Sequence, residues 1–103
     1  RLCVRSGAGL ARTGATIGHG SGDFVIAFST TRRIHHEAFE PGIVETALIS
    51  DEARVMEALF PAVVEAVEEA VLNSLFAAET VVGRDGHVRY ALPTAEIAQW
   101  LAR

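Results

Sequence analysis

The stretch "GHGSGDFVIAFSTT", Gly18 to Thr31, decides how this chain is read. Three glycines alternate with His19, Ser21 and Asp23, and the chain then runs into an apolar segment. From Asp23 to Thr30 the pattern predicts a strand. Phe24, Ile26 and Phe28 face one way, and Val25, Ala27 and Ser29 the other. Apolar residues on both faces mark a strand covered on both sides, which needs neighbours. A polar glycine loop at the mouth of such a strand is either a simple turn or the edge of an active site.

The elements around it are legible by their spacing. Upstream, Leu2, Cys3, Ser6, Gly9, Leu10 and Thr13 recur at helical intervals, predicting a helix from Leu2 to Thr13 that stops at Gly14. Its small residues, Ser6, Gly7, Ala8, Gly9 and Ala11, predict close packing against a neighbour, since each helical glycine costs roughly 1 kcal/mol relative to alanine. Downstream, "IVETALI" (Ile43–Ile49) and "HVRYAL" (His87–Leu92) are further candidate strands. Ser50 is positioned to cap a helix opening with Asp51 and Glu52. Pro61 either divides that helix in two or kinks it. Beyond it, Val64, Val67, Val71 and Leu75 form an apolar stripe, with Ala62, Ala66, Ala70 and Ala77 roughly opposite and Asn73 among them, so the helix is expected to pack on two sides. Asp85-Gly86 signals a hairpin turn. Thr94 opens a last short helix whose buried face is expected to be Ile97, Trp100 and Leu101.

Composition narrows the function. With 103 residues, half of them apolar, the chain suffices for one small domain. A net charge of -4 argues against non-specific nucleic-acid binding. All nine basic residues are arginine, as a GC-rich coding bias produces. The single cysteine, Cys3, excludes an internal disulfide and a cysteine-based zinc site. His35-His36-Glu37 resembles a metal cluster at first sight, but adjacent histidines in a loop rarely chelate one ion, and a solvated loop or a rim of the substrate cleft is the better reading. Glu68 and Glu69 read as a solvated face or an interchain contact, and Arg32 and Arg33 as surface charge. No targeting signal or membrane-spanning apolar run is visible, so a cytoplasmic location is expected. The chain opens without Met inside a helical pattern, and is expected to be the C-terminal piece of a longer protein.

"GLARTG" (Gly9–Gly14), "HGSGDFVIAFST" (His19–Thr30) and "EAVLNSLFAAETVVGRDGH" (Glu69–His87), in this order, resemble the β chain of the L-aminopeptidase/D-Ala-esterase/amidase family, which includes the β-aminopeptidases. The resemblance covers almost the whole chain, and the GSGD block with its strand is its specific part. It implies an α/β fold, a layered α-β-β-α sandwich of the N-terminal-nucleophile kind, of which residues 1–103 are the C-terminal portion of the β chain. It further implies a precursor that cuts itself into α and β chains and a serine nucleophile at the new β-chain terminus, upstream of Arg1. Small peptides, amides or esters would be hydrolysed through an acyl-enzyme, with no metal or organic cofactor. The α chain would be an obligatory partner, with αβ pairs forming homo-oligomers. Ser21 and Asp23 are implied as catalytic, hydrogen-bonding near the nucleophile, with His19, Gly20 and Gly22 lining the substrate. Some members carry Glu where this chain has Asp23. The rival reading is a non-catalytic relative that keeps the fold as a binding or assembly module.

Overall fold

The computed structural model describes residues 1–20, 22–31, 33, 42, 45, 47–50, 52 and 54–103. Its elements run α1 (Leu2–Arg12), α2 (Val55–Ala77), β1 (Val81–Val82), β2 (Val88–Arg89) and α3 (Thr94–Leu101). Both α and β elements are therefore present, with helices dominant among the described residues.

Helix α1 ends as its sequence demands. The Gly14 N–H donates to the Ala11 carbonyl at 3.0 Å, and Gly14 itself sits at φ +92°, a left-handed conformation that glycine adopts without steric cost. Helix α2 is one continuous element through Pro61, which resolves the two readings of that proline against a break. It begins at Val55, later than expected. Ser50 does not cap it; its Oγ instead accepts from the Glu52 N–H at 3.4 Å in a local turn.

α1 and α2 pack side by side, and three contacts fix their register. The Arg5 guanidinium lies 3.7 Å from the centre of the Phe60 ring, with Arg1 over the same ring at 5.0 Å. Gly9 abuts the Val64 carbonyl and the Val67 side chain. Arg12 Nε pairs with Glu68 Oε2 at 2.8 Å. These partners advance together, by four and three residues on α1 and by four and four on α2. The two helices thus run in the same general direction along one face of each, as the spacing of helical neighbours requires. Glu68 is accordingly an intrachain contact rather than a solvated or interchain one.

The hairpin follows its turn signal. Val81 pairs with Arg89 and Val82 with Val88, antiparallel. The Gly83 N–H donates to the His87 carbonyl at 2.7 Å, and the His87 N–H to the Arg84 carbonyl at 3.2 Å. Asp85 and Gly86 both have positive φ, 57° and 77°, the sign pattern of a type I′ turn. Thr80 Oγ1 accepts from the Ala91 N–H at 3.0 Å and holds the open end together.

Several expectations are corrected. The described residues from Gly22 to Thr31 join no strand ladder and bend at Thr30 and Thr31, and those described between Glu45 and Ser50 join none either; a ladder needs a neighbouring strand, and the described residues offer neither stretch one. Thr94 is the first residue of α3 rather than its cap, and only Ile97 of its expected buried face is half-buried; Trp100 and Leu101 are exposed. On α2, Val64, Val67 and Val71 are half-buried, whereas Leu75, the alanine stripe and Asn73 are exposed, so one side alone is covered. No described apolar side chain is fully buried. The radius of gyration is 20.1 Å, against roughly 13 Å for a compact domain of about 100 residues.

Candidate functional site

The glycine loop meets the helix pair at one place. Gly22 to Val25 close one side of a cavity of about 350 Å³, with Ser6, Gly7 and Leu10 of α1 and Val67 of α2 on the other. The helix pair creates the space. Gly9 sits so close to α2 that a side chain there would clash, whereas a Cβ on Gly7 would meet nothing within 4 Å. One glycine brings the helices together and the other leaves room beside them.

Phe24, Ile26 and Phe28 are 96%, 87% and 85% exposed, and Val25 is 48% exposed. Asp23 is among the lining residues and is solvent-exposed. It is the one ionisable side chain among the described lining residues. Ser6 lies inside and is the one buried polar side chain described. Its Oγ donates to the Cys3 carbonyl at 2.6 Å, which commits the hydroxyl proton to the helix and leaves the oxygen's acceptor capacity.

Of the residues singled out by sequence, Gly22 and Asp23 reach this cavity together. His19 and Gly20 are exposed in the preceding turn and are not among its described lining; Gly20 turns the chain at φ +91°. Ser21 lies outside the described residues, as do Arg32 and the His35-His36-Glu37 cluster. Among the described residues no three His, Cys, Asp or Glu side chains gather as a metal site would require. No helix among them is long and apolar enough to cross a membrane.

Sequence reasoning did not place Ser6, Gly7, Leu10 and Val67 at the site. The signal was the run of small residues Ser6 to Gly9, which announces close approach but not which glycine touches a neighbour.

Comparison with known proteins places the chain in a family. The solved PH0078 protein from Pyrococcus horikoshii OT3 superposes with a TM-score of 0.84 at 47% identity, covering 100% of this chain and 28% of that one. Beta-peptidyl aminopeptidase BapA from Sphingosinicella xenopeptidilytica is 38% identical over 100 residues, 96% of this chain and 24% of the relative. The BapA of Sphingosinicella microcystinivorans is 33% identical over 97 residues, 94% of this chain and again 24% of the relative. The chain thus spans about a quarter of the length of these curated relatives. The sequence profile of peptidase family S58 matches residues 1–89, from the start of α1 through the hairpin and with the whole glycine loop inside it, and the chain belongs to that family.

Proposed function

We propose that residues 1–103 are the C-terminal portion of the β chain of a self-processing serine aminopeptidase, amidase or esterase. The fold is then a layered α-β-β-α sandwich. α1 and α2 form part of an outer helical layer, and Asp23–Thr30 is a strand of a central sheet completed by the rest of the protein. The observation that carries this reading is the placement of Asp23. It lines a recess shared with residues of both helices, in a chain similar to two beta-peptidyl aminopeptidases.

The reaction follows from an upstream serine at the β-chain terminus. Its hydroxyl attacks the carbonyl carbon of an amide or ester, and its own α-amine takes the proton, so nucleophile and base share one residue. The bond to the leaving nitrogen or oxygen breaks, and the leaving group departs with that proton. Water then adds to the acyl-enzyme and releases the acid. Asp23 orients the attacking hydroxyl or stabilises the ammonium formed beside it, and Ser21 hydrogen-bonds in the same place. Gly20 and Gly22 allow backbone N–H groups to approach the oxyanion, and His19 forms the rim. Substrates are small peptides, amides or esters with a free N-terminal amine. The names of the relatives make β-amino acid amides the first class to try. No metal or organic cofactor takes part. The α chain of the same precursor is the partner, αβ pairs assemble into homo-oligomers, and the protein works in the cytoplasm.

The test is the intact mass and N-terminal sequence of the full-length product after expression. Two chains, the smaller beginning with Ser and containing Arg1–Arg103, are expected. A single uncut chain overturns the reading in favour of a silent relative.

A further inference from the structure

Helix α1 holds two interior glycines, Gly7 and Gly9, and each is destabilising there relative to alanine. Gly9 has a packing reason, because α2 lies too close for any side chain. Gly7 has none of that kind. A Cβ there would meet no described atom within 4 Å, so alanine would fit and would favour the helix. Gly7 instead lines the recess, together with Ser6, Leu10, Val67 and Asp23. A side chain at this position would take space from it.

The recess suits a small ligand. Its volume of about 350 Å³ is near the lower end of the roughly 300–1,000 Å³ of small-molecule sites, room for one aminoacyl group rather than a length of peptide. Leu10, Val25 and Val67 supply apolar lining, and Asp23 supplies a carboxylate, the complement of an ammonium. Ser6 is buried, and its hydroxyl proton is committed to the Cys3 carbonyl at 2.6 Å, so its oxygen is left to accept. Apolar lining with side-chain acceptors matches an apolar side chain carried next to an ammonium.

We propose that Gly7 is a specificity-determining residue. The recess receives the side chain of the substrate's N-terminal residue, and the absence of a Cβ at Gly7 sets how large that side chain can be. This deepens the hydrolase reading above and rests on it.

The experiment compares the complete protein with its Gly7→Ala and Gly7→Leu variants. kcat/KM is measured for the p-nitroanilides of β-alanine, which has no side chain, and of β-homoleucine, together with urea unfolding. Wild type is expected to cleave both. Gly7→Ala is expected to lower kcat/KM for the β-homoleucine amide at least about tenfold relative to the β-alanine amide, since one methylene in an apolar pocket is worth about that or more. Gly7→Leu is expected to widen the ratio further, and Gly7→Ala decides alone should the leucine variant fail to fold. The urea midpoint of Gly7→Ala is expected to equal or exceed that of wild type. An unchanged ratio between the two substrates in Gly7→Ala overturns the proposal, whether both rates persist or fall together. A joint fall with a lower midpoint means that the protein's own side chains fill the recess. A wild type that cleaves the β-alanine amide alone has no room for a side chain and overturns the proposal as well. A wild type with no turnover overturns the hydrolase reading, and the size limit with it.

Discussion

Replacing Gly9 with alanine puts a methyl group where the helix pair has no room for one. The added Cβ would lie 2.5 Å from the Val64 carbonyl oxygen and 2.8 Å from the Val67 Cβ, whereas carbon contacts are comfortable at about 3.5–4.0 Å. Backbone and Cβ atoms cannot swing aside, so the helices must separate by roughly 1 Å. Overpacking of this kind costs about 1–3 kcal/mol. Alanine also favours the helix by about 1 kcal/mol, which partly hides the clash. Gly7→Ala supplies the control: it is the same change in the same helix, with nothing within 4 Å of the new Cβ. The helix-propensity and unfolded-chain contributions cancel between the two variants, and their difference isolates the clash. In the complete protein Gly7→Ala should be more stable than Gly9→Ala by about 1–3 kcal/mol. Gly7→Ala should therefore unfold at the higher urea concentration of the two. Equal midpoints, or a more stable Gly9→Ala, would refute the close crossing at Gly9.

Asp23→Ala is expected to lower kcat by about 10²-fold or more, the magnitude of an electrostatic or orienting group; unchanged turnover in a steady-state assay removes Asp23 from the mechanism. Arg12→Ala and Glu68→Gln should each cost at most about 1 kcal/mol, and less in 1 M salt, because their ion pair is partly exposed; a double-mutant cycle under urea reads the coupling directly. Gly86→Ala should cost about 1 kcal/mol through its positive φ, whereas Gly83→Ala, at φ −92°, avoids that penalty; thermal unfolding of the two variants distinguishes them.

What could be read from the sequence was what depends on near neighbours. α1 carries its own stop signal in Gly14, and Asp85-Gly86 specifies its turn, so both lie within a residue or so of where the pattern puts them. The start of α2 was misjudged because a serine hydroxyl can serve a local turn as well as a helix, and Ser50 does the former. The segment after Asp23 reads as a strand from its side chains, but pairing is a property of two segments, and its partner is not among the described residues. The site divides the same way. The GSGD motif was visible as a motif, and Asp23 does reach a recess. The opposite wall was not visible, because it follows from the α1–α2 register, which Gly9, Phe60 and the Arg12–Glu68 pair set together across more than forty intervening residues.

The exposed run from Phe24 to Phe28 has a consequence for handling and for biogenesis. Five consecutive apolar residues, uncharged, without proline and in no strand ladder among the described residues, make a template on which identical chains can stack. Asp23 is the nearest charge at its entrance, and a single gatekeeper at one end is weak protection against cross-β growth. A polypeptide of these 103 residues made alone therefore has an amyloid-prone centre. On the proposed reading, co-expression with the rest of the precursor, rather than refolding of these residues alone, is the route by which that segment stays soluble.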